Sequence, residues 1–222
     1  MLQFSYSHSL NGIMATRSPR KRPSQSRSIA TVEAIFDATI QVLLSTGLER
    51  LTTTKVAERA GVSVGTLYQY FPNKEALLMA VLERHLLRVV EIVERACSSA
   101  HGQPMQSMVD AAVDAFFMAK LENKPASRAL YAVSSEFGGE AIVGRSIARS
   151  ERAIVDMLKS ASDGHFENPA MVGFIASTAV VTPVQALLAS KASTAEFEAV
   201  RSQLKTMIAA YLSEVRSNRR AG

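Results

Sequence analysis

Between Ala60 and Leu78 the chain reads AGVSVGTLYQYFPNKEALL. Two glycines, a serine and the Pro72-Asn73 pair cut this stretch into segments too short for long elements, yet Leu67 and Phe71 keep the i, i+4 spacing of one helix face. Just upstream, TTTKVAERAG offers Thr52 or Thr53 as an N-cap, Val56, Ala57 and Ala60 as an inner face, and Gly61 as a stop. Ser63 caps the next helix, Pro72 ends it, and Asn73 caps the one after. Two short helices separated by about three residues make a helix-turn-helix. Gly61 relieves a left-handed turn, and Val62 fills the angle between the helices.

The rest of the chain carries helical periods only. Ile29, Val32, Phe36, Ile40, Leu43 and Leu44 define helix 1 from Ser28, with Gly47 as its stop. Helix 4 runs from Lys74 to about Ala100 on a broad face of Leu77, Leu78, Val81, Leu82, Leu86, Val89, Val90 and Val93. After HGQP, apolar periods resume at Met105, from Pro125 to Phe137, from Glu140 to Leu158, over 169–190 and over 194–216. The expectation is an all-α protein of about nine helices, with no strand and no repeat. An apolar content of 47% supplies ample core, and 222 residues suit a small module joined to a larger one. The boundaries expected are a basic arm over 1–27, a helix-turn-helix domain over 28–73 and a helical domain over 74–222, connected through helix 4.

Charge is concentrated at the N-terminal end. Residues 1–80 hold nine Lys/Arg against five Asp/Glu, four of the net five positive charges, which points to an anionic partner there. ATRSPRKRPSQSR, residues 15–27, is either a flexible basic arm or a solvated tail. MLQFSYSHSLNGIM lacks the charged and apolar regions of a secretory signal, and either Met1 or Met14 can be the start. Cys97 alone builds neither a disulfide nor a zinc site, so it reads as a small buried residue in a reducing cytoplasm. The four histidines have no nucleophile or metal-ligand spacing around them, and no phosphate loop or dinucleotide fingerprint is present. No cofactor and no enzymatic activity is expected.

The helix that begins at Val64 departs from what a purely structural helix favours. Gly65 weakens its first turn but lets another surface approach the backbone closely. Tyr68 and Tyr70, two residues apart, cannot share one face, so at least one hydroxyl points outward, where it can donate to a phosphate oxygen. Lys55 and Lys74 sit in the first turns of helices 2 and 4, positions that disfavour cations by roughly 0.3 to 1 kcal/mol. A bound phosphate reverses that sign.

LTTTKVAERAGVSVGTLYQYFPNKEALL, from Leu51 to Leu78, resembles the DNA-binding signature of the tetracycline-repressor (TetR) family of bacterial regulators. The resemblance covers about a quarter of the chain. It implies that Thr53 contacts the DNA backbone or an adjacent base, and that Val64, Gly65 and Thr66 face bases at the start of a recognition helix. It further implies that Gln69 reads a base and that Tyr68, Tyr70 and Lys74 clamp phosphates. The family often has an acidic residue where Lys55 stands, completing a capping box; here a lysine can instead add a DNA contact. Gln69 suits adenine, and the methyls of Val64 and Thr66 suit thymine, but no arginine lies in this helix to select guanine. Specificity then leans on DNA shape and on arm residues such as Arg22 or Arg27.

For the larger half, the resemblance implies dimerisation through the last two long helices and a small effector in an apolar cavity. The candidate cavity residues are Met105, Met108, Phe116, Phe117, Tyr131, Met157 and Phe174, with Arg128, Arg145, Arg149 and His165 as possible polar contacts. Gly173, Ala176, Ala179, Ala186 and Ala189 are small enough for helices to meet closely. The charge-free run 168–190 has the length of a membrane span, but its serine, threonines, proline and glutamine favour a helix buried between others. The expected function is a homodimeric, effector-released repressor on a near-palindromic double-stranded operator in the cytoplasm, with no membrane role. An effector-independent regulator or an activator is the alternative, and an enzyme a more distant one.

Overall fold

The computed structural model describes residues 26–217, with side chains from Ser28. The basic arm, including Arg22 and the Arg27 side chain, lies outside the described residues. Nine helices occupy the described residues: α1 (Ser26–Thr46), α2 (Thr53–Ala60), α3 (Val64–Tyr70), α4 (Lys74–Ser99), α5 (Met105–Leu121), α6 (Lys124–Glu136), α7 (Glu140–Lys159), α8 (Pro169–Ala189) and α9 (Thr194–Val215). The only pairing of β type among them is an isolated bridge between His165 and Ser217.

The chain forms two compact units. One takes residues up to Leu82 together with Ala132–Gly139, and the other takes Glu83–Tyr131 and the chain from Glu140 onward. Helices α4 and α6 therefore belong to both, and the division falls within α4 rather than at its first residue.

In the first unit, α2 packs on α1 and α3 packs on α2. Leu51, Val56, Leu67, Phe71, Leu77 and Leu78 are fully or almost fully buried, and the Phe71 ring lies 5.6 Å from that of Phe36. The buried face of α1 is Ile35, Ala38, Thr39, Val42 and Leu43, while Ile29 and Leu44 are exposed. The face expected from Ile29 to Leu44 was thus rotated, because aliphatic residues lie on several sides of this helix and periodicity alone does not choose among them. Thr39 enters the core because its hydroxyl donates to the Ile35 carbonyl at 2.7 Å.

In the second unit, α5 packs against α9 and α7, and α8 against α7 and α9. Phe117 and Phe197 meet edge to face at 6.4 Å in its core, near Met105, Met108 and Leu188. Cys97 is buried there, and burial pushes its thiol pKa up to about 12, which leaves it unreactive. Gly173 faces inward: a methyl group there would stand 2.6 Å from Val155 Cγ2, so it serves the α7–α8 contact. Ala176 is buried beside it. Helix α8 is nevertheless not enclosed by other helices, as its composition suggested, since Met171 and Phe174 remain 53% and 50% exposed. Along with Ile175, Thr178, Thr182, Ala186 and Ala189 they form one exposed stripe at helical spacing.

Candidate nucleic-acid interface and cavity

The turn between α2 and α3 is built by backbone demands that single residues meet. Gly61 adopts φ 68° and ψ 28°, the left-handed conformation, and its N–H and that of Val62 donate to carbonyls of the last turn of α2. Thr52, of the two candidates, caps α2 by accepting from the Lys55 N–H at 3.3 Å. Ser63 caps α3, accepting from the Thr66 N–H at 3.0 Å, and its hydroxyl also lies 2.8 Å from that of Thr66. Asn73 caps α4 through the Ala76 N–H at 2.7 Å.

The face left outward is polar and small. Gly65 and Gln69 are exposed, with Val64 and Thr66 half-buried beside them. Space around Gly65 is open: a Cβ there would meet only Ser63 Oγ, at 3.7 Å. Glycine costs a helix about 1 kcal/mol relative to alanine, and nothing within the described residues requires it at this position. Tyr68 is 39% exposed, and its hydroxyl lies 3.1 Å from Thr53 Oγ1, tying the start of α2 to the middle of α3. Lys74 is half-buried at the first position of α4.

Tyr70 and Lys55 stand apart from these outward side chains. Tyr70 is only 6% exposed, with its ring 6.4 Å from that of Phe71, so it anchors α3 in the core and the outward tyrosine is Tyr68. The reason is helical spacing: Tyr70 stands three residues after Leu67 and shares its buried side, whereas Tyr68, one residue after Leu67, is turned away from it. Lys55 is exposed, and its ammonium donates to the Arg50 carbonyl at 2.9 Å.

The second unit encloses a partly open cavity of about 110 Å³, lined by side chains from α4 to α9. Of the residues expected there, Met108, Phe116, Tyr131 and Met157 line it. Met105 and Phe117 are core residues outside its wall, and Phe174 is exposed on α8. Arg145 pairs with Glu83 at 3.1 Å, and Arg149 grips Glu94 with two hydrogen bonds of 2.6 Å. Both arginines thus brace helices rather than face the cavity. His165 joins Ser217 by backbone hydrogen bonds, and Arg128 is exposed. Among the described residues no group of three or more His, Cys, Asp or Glu side chains is placed to hold a metal ion.

Residues 35–81 match the family described as bacterial regulatory proteins, tetR family, and residues 104–212 match the tetracyclin repressor-like C-terminal domain. The chain belongs to the TetR family.

It is 43% identical over 74 residues to the HTH-type transcriptional repressor KstR of Mycolicibacterium smegmatis, a stretch covering 33% of this chain and 36% of that repressor. It is also 35% identical over 103 residues to the HTH-type transcriptional regulator BetI of Paraburkholderia phytofirmans, 46% of this chain and 52% of that regulator. The chain spans about a quarter to a third of the length of the KstR repressors that it matches. The fold continues further than the sequence likeness. A TetR-family regulator from Mesorhizobium loti superposes with a TM-score of 0.68 over 87% of this chain and 100% of that one, at 16% identity.

One residue of this TetR chain escaped the sequence reading. Lys120 lines the cavity at 3% exposure, the only charged residue in its wall. Burial pulls its pKa down to about 8. Its signal was available: Val109, Val113, Phe116 and Lys120 repeat at helical spacing, so the lysine falls on the buried stripe of α5. The other polar residues of the wall are Ser146, Ser150, Ser177 and the pair Tyr131 and Gln185, whose side chains are hydrogen-bonded to each other.

Proposed function

We propose that the protein is a sequence-specific DNA-binding transcriptional regulator, acting as a homodimeric repressor that a small effector releases from a near-palindromic operator. The observation that carries this reading is the unexplained clearance at Gly65, set in an outward face of Val64, Thr66, Tyr68 and Gln69 and flanked by Thr53 and Lys74. Gln69 suits bidentate pairing with adenine, the Val64 and Thr66 methyls suit thymine, and Thr53, Tyr68 and Lys74 suit backbone phosphates. The family favours a regulator over an enzyme, and a regulator of this kind works in the cytoplasm.

The homodimer is supported by the exposed stripe of α8. A run of Met171, Phe174 and Ile175 followed by small residues is what a partner helix can cover closely, and a second copy presents the same stripe. By length and apolarity α8 and the stretch Ser28–Thr46 of α1 would also suit a membrane span. For α8, pairing with its own copy accounts for the exposed side without one. A two-fold dimer presents two α3 helices to successive major grooves, hence the near-palindrome.

The cavity supports effector control over effector-independent action. Helix α4 carries Lys74 at its first residue and the cavity-lining Val89, Val90 and Val93 further along, so an effector that favours one setting of α4 shifts the population able to bind DNA.

The test is to select bound fragments from genomic DNA with the full chain and to measure affinity for the recovered site against salt. Lys74→Ala is expected to weaken binding about tenfold and to lower the salt slope by about one. An unchanged affinity and slope would remove Lys74 from the interface, and recovery of no preferred site would end the reading as a whole.

A further inference from the structure

Lys120 is the one charged side chain that is fully buried among the described residues, whereas the half-buried Lys205 and Arg149 have anionic partners. Lys205 lies 3.2 Å from Asp110 and 2.7 Å from Asp114, and Arg149 is held by Glu94. Lys120 is more deeply buried than either, yet it forms no ion pair among the described residues, and its ammonium lies over the rings of Phe116 and Tyr131, 5.7 Å and 5.5 Å from their centres. Neither Asp nor Glu lines the cavity into which it is set.

The surroundings of Lys120 do nothing to compensate. His85 Nε2 lies 3.2 Å from Ser127 Oγ, and Ser127 donates to the Lys120 backbone carbonyl at 3.1 Å, which fixes the backbone here without supplying negative charge. Burial, with Lys120 and Arg88 adding to it, drives the His85 pKa down to about 4, so this ring stays neutral. A methionine would fill the same space without the desolvation cost of a charge. Ring faces recover only part of that cost.

We propose that Lys120 is the anchor for the carboxylate of a small apolar organic acid, whose hydrocarbon body fills the cavity of the second unit. The wall fixes the ligand class on two counts. Most of it is aliphatic, from Val90 and Val113 to Ile154 and Val180, which suits a hydrocarbon body. Its one cation neutralises a single negative charge, whereas a phosphate dianion would leave net charge buried where no arginine fork is present. The Tyr131–Gln185 pair is a further polar contact in the wall, suited to the second carboxylate oxygen.

This proposal rests on the effector reading only for its consequence at DNA, so binding is measured first without DNA. The full chain is titrated at neutral pH with pentanoate and hexanoate, whose size matches the cavity, each against its methyl ester and its primary alcohol, by calorimetry and thermal shift. The expected result is saturable binding of the acids and a raised Tm, with the esters and alcohols at least about tenfold weaker. Lys120→Met is expected to abolish that advantage while leaving the alcohols bound as before and the Tm of the free protein no lower. Failure of both acids to bind, equal binding of acids and esters, or undiminished acid binding by Lys120→Met would each overturn the proposal. If that variant does not fold, the acid-to-ester preference of the natural chain decides. Acids that bind through Lys120 without loosening operator DNA support this proposal and overturn effector release instead.

Discussion

Lys74, at the first position of α4, and Lys120, near the end of α5, carry the same ammonium group into different surroundings. Lys74 is half-buried at a helix N-terminus, where water and salt screen it and its unfavourable position costs little. Lys120 is withdrawn from water among aliphatic and aromatic side chains, where the charge is expensive and its pKa falls to about 8. The first suits a multiply charged polymer that approaches from solvent and is held by many weak contacts. The second suits one small ion that must shed its own water. An isolated charge therefore speaks of different ligands according to the dielectric around it.

The largest expected effect tests how the outward face is held. Leu67 is fully buried, and α3 is seven residues long with few other anchors, so Leu67→Ala is expected to cost about 2 to 5 kcal/mol in chemical denaturation. DNA binding falls with it, while the acid-binding cavity of the other unit keeps its affinity. A parallel loss of both would erase the distinction between the units.

The next effect sharpens the contrast between the lysines. Below about pH 8, Lys120 is protonated in the folded and unfolded chains alike, and the folded state bears the full cost of the buried charge. Between about 8 and the ordinary 10.5 the unfolded chain holds the proton more tightly, so stability rises with pH through this window and then levels off. Lys120→Met is expected to raise stability at neutral pH by up to about 3 kcal/mol and to flatten the rise, as read by denaturation at a series of pH values. A rise in stability that survives in the variant assigns it to another group.

The smallest effect separates stability from recognition at one atom. Gly65→Ala adds a methyl group to open space in a helix, so the free protein is expected to gain about 1 kcal/mol. Operator affinity is expected to fall at the same time, because the methyl group occupies the clearance. An alanine variant that binds DNA as tightly as the natural chain removes Gly65 from the interface.

Much of the first unit was legible because its signals are local. Gly61, Ser63, Pro72 and Asn73 act within a few residues of themselves, through caps and a left-handed turn, and the structure uses each as its position suggests. The same local rule places the tyrosines: Tyr70, three residues after Leu67, lies on the buried side of α3, and Tyr68 is left outward. The cavity was legible only in kind. Methionine and aromatic content pointed to adaptable apolar surface, but Met105 and Phe117 went to the core and Phe174 to the surface, since those destinations are set by helices far apart in the chain.

By itself, the sequence determined the nine helical spans, the helix-turn-helix and the character of its outward face, because caps, breakers and i, i+4 spacing act at short range. Only the tertiary structure decided which face of α1 is buried, that α8 keeps an uncovered apolar stripe, and that Lys120 stands alone in a cavity walled by six helices. Those outcomes depend on which distant side chains come to share a space, and with it on how much water each charge retains.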